Sequence, residues 1–541
     1  MKKGISWMMA LLLLLGTLAG CSDTTNEPQK SEVSKASSSQ ESGDGQESEA
    51  FVYPMDGTVT ITINKEAIDL TNVPDYALDH YYWTQLQENT GIQIEFVGAQ
   101  SGPFETTQEF LLLLASGEYP DIFQANWVSF PGGPAAAIND GYIQTLDQYS
   151  EYMPNLMRYL AENPDIDKMI RSDEGQIYAS PWLREKGTEV GTGLVIRKDW
   201  LDKVNMDVPV TMEDMHDVLA AFKNQLGVTT PLTFELRWLW LETAAASLSN
   251  AFDVVYPYYI DDNKVKFGPF EEGYKDFVTT MAAWYTEGLL DTDLAAVDKK
   301  TVQAKFANSE AGAAIQQMNN VQSCVDAMAL SDPSAEIAPV SSLVRNQGDE
   351  PKFSHFWKVF DGGFEMALTT QCKNVEAACR FMDYLYSKEG INLTAYGTEG
   401  VSYEADENGD FVKFTDLVLN NPNGDTPSTV RGYFAQPSNW TYPSRDLNYF
   451  VSDKLKEVLK TWTANMDAHV LPPITHTTEE SSIVSQKYSE IDTYCREMIT
   501  KFILGTESLE NWDKFIEAIK KLGAEEVLQL KQVAYERYLA R

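Results

Sequence analysis

Thr58-Val-Thr-Ile-Thr-Ile63 alternates strictly between polar and β-branched apolar residues. Ile92-Gln-Ile-Glu-Phe96 alternates again after a helical stretch, Tyr76 to Asn89, closed by Gly91. Period-two alternation marks a half-buried strand and a glycine after a periodic stretch marks a helix stop, so this spacing predicts a right-handed βαβ unit. A second helix, Glu105 to Ser116, leads through Gly117 into Tyr119-Pro-Asp-Ile-Phe123. Proline can begin or edge a strand but not interrupt one. A short buried strand therefore starts at Ile122 and Phe123, with Gln124, Ala125, Asn126 and Trp127 at its carboxyl end.

The same α/β logic recurs downstream. Gly193-Leu-Val-Ile196 predicts a strand and Asp199 to Lys203 a short helix. Thr211 with Asp214 three residues on reads as a capping box, opening a helix that carries Met215, Val218, Leu219 and Phe222 on one face. Asn374 caps another helix, whose stripe of Val375, Ala378, Met382 and Leu385 ends before Gly390. Ser508 starts a helix with Leu509, Trp512, Phe515, Ile516 and Ile519 inward and Gly523 as its stop; a last helix runs from about Glu525 to Tyr538. No solenoid period or heptad run occurs, and the body is too long for one compact core. Two α/β lobes are the economical architecture.

The first 50 residues are of another kind. Lys2 and Lys3 precede an apolar run, Ile5 to Leu15, too short to cross a bilayer, and Leu18-Ala19-Gly20 leads into Cys21. Residues 1–20 thus resemble a bacterial lipoprotein signal peptide, which implies that Cys21 is acylated on its thiol and becomes the new N-terminus. Residues 22–50 are rich in Ser, Glu, Asp and Gln without an aromatic residue. Such a segment is a disordered tether spanning on the order of 30 Å. Residues 21–50 then hold a soluble body at the outer face of the cell membrane by a lipid anchor alone, with no later membrane span.

A net charge of −38 repels phosphate backbones and anionic headgroups, which argues against nucleic acid as a partner. Cys324, Cys372, Cys379 and Cys495 are too few for a disulfide scaffold and read as small buried apolar residues. The five histidines, His80, His216, His355, His469 and His476, are scattered singly, and no HExxH, CxxC, GxGxxG, GxxxxGK[ST] or GxSxG motif occurs. No cofactor, metal centre or catalytic set is therefore expected, although 80 acidic residues make paired carboxylates uninformative. Asp406-Glu-Asn-Gly-Asp410 alternates oxygen ligands as a calcium loop does, but its glycine stands at the fourth place and Leu417 at the twelfth. An Asn-Gly hairpin between Tyr403 and Phe411-Val-Lys-Phe414 fits better.

The positive clue is aromatic. Trp127, Trp182, Trp238, Trp240, Trp357 and Trp440 fall at expected strand ends or loops, whereas Trp512 sits on a helical stripe. A sugar ring offers one apolar face and a rim of hydroxyls, and needs flat platforms edged by amides and carboxylates. For each tryptophan singly, packing explains it as well; together they favour a carbohydrate cleft.

Further segments carry a resemblance: Gly117-Glu-Tyr-Pro-Asp-Ile122, Gly175-Gln-Ile-Tyr-Ala-Ser-Pro181, Ile196-Arg-Lys-Asp-Trp-Leu-Asp202 with Val208-Pro-Val-Thr211, and Phe306-Ala-Asn-Ser-Glu-Ala-Gly312. Lys373-Asn-Val-Glu-Ala377 running to Tyr396-Gly-Thr-Glu-Gly400 and Tyr403, and Phe502-Ile-Leu-Gly505 through Ala534-Tyr535-Glu-Arg-Tyr538, complete the series. In this order they resemble the extracellular solute-binding proteins of the family 1 type, most closely the long lipoproteins of Gram-positive bacteria. Val375 departs from the usual proline, which touches a helix start and not a ligand.

The resemblance implies a type II periplasmic-binding-protein-like α/β fold whose two lobes are joined by a multi-segment hinge. One lobe would comprise 51–180 with about 360–400, the other 181–359 with about 401–541. Ligand would lie between them, near Asn126 and Trp127, Trp182, Gln316 and Gln317, Glu399, Arg431 and Trp440; the aromatic reading adds Trp238, Trp240 and Trp357. It further implies a monomeric, non-enzymatic receptor that captures a sugar or oligosaccharide and passes it to permease subunits served by a separate ATPase. A surface glycoside hydrolase and a sensor or adhesin module remain the rival readings.

Overall fold

A computed structural model describes residues 51–56, 59–64, 73–97, 112, 114–184, 192–240, 247–353, 365–425, 427–435, 440–441, 453–462 and 469–541. The chain opens with β1 (Val59–Ile63), β2 (Ile92–Phe96) and β3 (Ile122–Ala125), then passes through β4 (Leu183–Arg184) to β5 (Thr192–Arg197) and β6 (Thr230–Thr233). A hairpin, β7 (Tyr258–Asp261) and β8 (Lys264–Phe267), precedes β9 (Ala311–Gln317), β10 (Ile337–Val340) and β11 (Glu365–Leu368). The second hairpin, β12 (Tyr403–Ala405) and β13 (Phe411–Phe414), is followed by β14 (Trp440–Thr441).

Two four-stranded sheets organise the molecule. The first has the order β11-β3-β1-β2, with β1 parallel to both β2 and β3 and with β11 antiparallel to β3. The expected parallel pair is therefore present, in the register Val59↔Ile92 to Ile63↔Phe96, and alternation puts Ile61, Ile63 and Ile92 in the core. The second sheet has the order β10-β5-β9-β6, with β6 parallel to β9 and β5 antiparallel to both its neighbours. Helices cover both faces of β5, which explains its uninterrupted burial.

Apolar packing divides along the same line. One core gathers side chains from Ile61 to Leu183 and again from Met366 to Phe434. The other runs from Leu194 to Phe353 and from Ile474 to Tyr538, and a smaller cluster around Val195, Phe306 and Trp462 backs the second sheet. Two lobes result, with one change from the expected boundaries. Tyr403, Phe414, Val418, Val430 and Phe434 pack into the first core, so the segment up to about 435 goes with lobe one rather than lobe two. The β12–β13 hairpin causes this: Phe411 stacks on Tyr396, at 4.1 Å between ring centroids, at the end of a lobe-one helix.

Local signals hold where they are purely local. Thr211 Oγ1 accepts from Asp214 N at 3.0 Å and Asp214 Oδ2 accepts from Thr211 N at 2.9 Å, closing the capping box. Asp406 Oδ1 accepts from the backbone N–H groups of Asn408 and Asp410, pinning the tip of a hairpin. Other expectations change. The helix read from Tyr76 to Asn89 breaks into Asp75–Leu78 and Tyr82–Thr90, with Tyr81 extended between them. Tyr81, Tyr82 and Trp83 are all buried, and three consecutive side chains cannot share one face of a continuous helix. Asn374 stands at the N-cap of its helix as expected, but its side chain makes no capping bond; its Nδ2 donates to Thr60 O instead. After Ser508 a 3₁₀ turn, Leu509–Asn511, comes before the helix Trp512–Lys521. The helix read at Glu105 to Ser116 lies largely outside the described residues, as does Cys21. The four cysteines are free, three of them buried and Cys372 half-buried. Among the described residues no helix is long and apolar enough to cross a membrane.

One buried carboxylate ties two lobe-one helices. Asp383 accepts from Leu156 N at 2.9 Å and Asn155 Nδ2 at 2.8 Å at the start of the helix Pro154–Glu162. Burial outweighs these donors and pushes its pKa up to about 6. Because the folded value is raised, the folded protein binds this proton more tightly. That stabilisation is complete below the unfolded value near 4 and is lost as pH rises through 6. Denaturation of the wild type and of Asp383→Asn across pH 4–7 should show the wild type losing on the order of 3 kcal/mol relative to the variant. Parallel curves would contradict the assignment.

Candidate ligand-binding cleft

The chain passes from Leu183 in the first core to Leu194 in the second, and β4 pairs in parallel with the returning β14, Leu183 opposite Trp440 and Arg184 opposite Thr441. These two strands form the crossing. On the lobe-one side, Ser180 exchanges backbone bonds with Met366 at 2.9 and 3.0 Å, and its Oγ lies 2.9 Å from the Tyr386 hydroxyl. On the lobe-two side, Trp462 ends the helix Asp453–Trp462 and donates from Nε1 to Leu194 O at 3.2 Å. Its ring lies so close to Gly193 that a Cβ there would come within 2.2 Å of it, which requires glycine at this position.

Strand ends of both sheets are tied to this crossing by backbone pairing. In lobe one β1 and β3 end at Ile63 and Ala125, and Ala125 faces Glu365, next to the Met366 that holds Ser180. In lobe two β9 ends at Gln317, opposite Thr192, where the chain enters from the crossing. The carboxyl ends of parallel strands at such a switch of direction are where open α/β sheets hold ligands.

Amides concentrate at these ends. Asn64 Nδ2 donates to Gln124 O at 2.9 Å and its Oδ1 accepts from Gln124 N at 2.6 Å, locking β1 to β3 where they stop. Asn126 Oδ1 accepts from Ser129 N at 3.1 Å and caps the single turn Trp127–Ser129. Across the crossing, Gln316 is 3% exposed, and its Nε2 donor has no partner among the described residues. Gln317 precedes the helix Met318–Ser331, and Asn320 is buried one turn on. Glu365 is fully buried beside Ala125; burial first, and then the nearby Glu365 carboxylate, push the Tyr178 hydroxyl well above its ordinary pKa.

The tryptophans divide differently from the sequence reading. Trp127 is wholly buried in the first core, donating from Nε1 to Phe123 O at 3.2 Å and set edge-on to the Phe123 ring. Trp238 and Trp240, on the turn Leu236–Trp240, belong to the second core; the Arg237 guanidinium covers Trp238 and Tyr256 meets Trp240 edge-on. The rings of all three are packed against these neighbours. Trp182, 9% exposed next to β4, joins none of the three apolar clusters and stays a crossing residue. Trp440 lies on the crossing strand itself, with its side chain outside the described residues, as is Trp357 altogether. Glu399 is exposed in the loop after the helix Lys388–Tyr396, and Arg431 is half-buried on the lobe-one helix Pro427–Phe434. The sequence reading passes over Asn64 and Glu365, although an amide ending an alternating strand and a lone carboxylate heading an apolar one signal both.

Two α/β lobes, two crossing strands and an amide-edged junction define a two-lobed binding protein. The model of the bacterial extracellular solute-binding proteins matches residues 70–391, and the chain belongs to that family. It is 24% identical over 495 residues to the fructooligosaccharide ABC transporter substrate-binding protein FusA of Streptococcus pneumoniae serotype 4, covering 84% of this chain and 86% of that one. It is 23% identical over 472 residues to lipoprotein LipO of Bacillus subtilis strain 168, covering 82% and 86%. Among solved structures it is similar to the alginate-binding protein AlgQ2 crystallised without calcium ion, with a TM-score of 0.71 and 21% identity over 89% of this chain and 99% of that one.

Proposed function

We propose that this protein is the substrate-binding component of an ABC transporter, capturing an oligosaccharide at the cell surface and handing it intact to membrane permease subunits. The observation that carries this is Gln316, a nearly sealed amide at the crossing whose donor lacks a partner among the described residues. Leaving such a group unmet costs about 1–3 kcal/mol, and a ligand hydroxyl accepting from it removes that cost. Asn64, Gln124, Asn126 and Gln317 frame the same junction with further amides, and Trp182 lies next to the crossing strand β4. Kinship with a fructooligosaccharide-binding protein supports a sugar as cargo. The ligand stabilises the closed arrangement only as far as it prefers it.

Lipid anchoring through Cys21 and a monomeric state belong to this proposal, as does the absence of catalysis. Kinship with a lipoprotein supports the anchor. Screening thermal midpoints against mono- and oligosaccharides tests the reading, since a ligand at 100 times its Kd adds about 2.7 kcal/mol. A midpoint raised by peptides but by no sugar, or sugar cleavage products on chromatography, would overturn it. Gln316→Met, similar in volume, should leave the unliganded midpoint unchanged or higher and weaken the sugar about tenfold.

A further inference from the structure

Beside the crossing the two lobes are joined by an ionic network that the strand pairing does not require. Arg541, following the lobe-two helix Ala524–Ala540, has a side chain only 5% exposed. Its Nε donates to Asp173 Oδ1 at 3.1 Å, its Nη1 to Arg171 O at 2.6 Å and its Nη2 to Thr475 Oγ1 at 2.7 Å. Arg537, one turn earlier, donates from Nε to Asp173 Oδ2 at 3.1 Å and from Nη1 and Nη2 to the Glu480 carboxylate at 2.9 and 2.6 Å. Burial opposes ionisation of Asp173, but the Arg541 and Arg537 guanidinium groups hold its carboxyl below the usual range.

The partners come from both cores. Asp173 lies between Ile170 and Ile177 of the first core, whereas Thr475 and Glu480 lie between Ile474 and Val484 of the second. A separate contact lies at the same knuckle. Gly132 and Gly133, the N-cap and first residue of the helix Gly133–Asn139, press on lobe two so tightly that a Cβ would stand 2.5 Å from Thr478 Oγ1 and 3.3 Å from Thr475 Cβ respectively. The clasped turn also runs directly into the hinge: Ile177 N donates to Asp147 Oδ2 at 2.6 Å, and Ser180 follows three residues later at the crossing.

We propose that Arg537 and Arg541 are positioning residues for lobe closure, a fulcrum that keeps the lobes in contact at Asp173 and Thr475–Glu480 while the cleft opens and closes. A contact next to a hinge moves least, and forked guanidinium–carboxylate bonds fix orientation as well as distance. Holding one edge together removes unproductive lobe orientations from the unliganded ensemble, so less ordering is left to the ligand. This rests on the receptor reading for its effect on sugar affinity, but not for its effect on lobe motion.

The test is hydrogen exchange on the full chain, wild type against Arg541→Ala, Arg541→Lys and Asp173→Asn. Arg541→Ala and Asp173→Asn should each speed exchange about tenfold in the turn 171–177 and in the first turn of the helix Thr478–Ile503, with a non-additive double variant and an intermediate lysine. With a sugar that shifts the wild-type midpoint, affinity should fall about tenfold when measured well below the lowered midpoint of each variant. Unchanged exchange in those two segments overturns the fulcrum, and so does tighter sugar binding by the variants. Wild-type protein that binds no sugar would sink the carbohydrate reading alone, leaving the exchange result to judge the fulcrum; if Arg541→Ala does not fold, the lysine and asparagine variants carry the test.

Discussion

Trp127→Ala is expected to cost the first lobe about 3–5 kcal/mol, because it deletes one of the two largest fully buried side chains among the described residues and leaves a cavity under the turn Trp127–Ser129. The indole also ties that loop to the strand before it through Nε1 and Phe123 O, and its ring sits among Phe123 and Phe130. Urea denaturation should show an earlier loss of lobe one. Any loss of sugar binding should follow from the distorted loop and be relieved at low temperature or by Trp127→Phe, which refills part of the space. A protein of unchanged stability that no longer binds sugar would instead make Trp127 a ligand platform, contrary to its position here.

Lys305→Met should be of similar size, about 3–5 kcal/mol, for an electrostatic reason. Lys305, on the helix Lys299–Ala307, donates to Asp291 Oδ2 at 2.6 Å, and Thr233 Oγ1 donates to the same oxygen at 2.7 Å. Asp291 is fully buried, so removing the ammonium strands a carboxylate away from water. Thr233 ends β6 and pairs with Ala314 on β9, two residues from Gln316, so the damage reaches the lobe-two edge of the cleft. The double variant Lys305→Met/Asp291→Asn should recover more than half of the loss, since the cost lies in the orphaned charge and not in the missing contact. If the double variant is no better than the single, the pair stabilises by packing.

Strand ends and the crossing were legible where one short stretch of chain carried the signal. Asn126 caps its turn, Gln316 and Gln317 close β9, and Trp182 and Trp440 lie at the crossing, all at positions that strand ends and motif order had marked. The buried tryptophans share a cause. A tryptophan at a strand end can turn toward solvent or into the core, and the choice depends on what packs there: Phe123 and Phe130 claim Trp127, and Tyr256 claims Trp240. None of that follows from spacing along the chain. Trp462 shows the converse, since it seals the crossing against Gly193 from 269 positions away, and only the folded chain brings them together.

What the amino-acid order determined by itself is the set of elements whose causes lie within a few residues: the paired strands β1 and β2, the Thr211–Asp214 capping box, the Asn-Gly hairpin and the two-lobe α/β plan. Tertiary structure alone decided which lobe takes the hairpin segment up to Phe434, which rings are buried, and that Arg541 meets Asp173 across 368 positions. The physical reason is range. Backbone periodicity and caps act over one or two turns, whereas burial and ion pairing depend on surfaces that exist only once the lobes have formed.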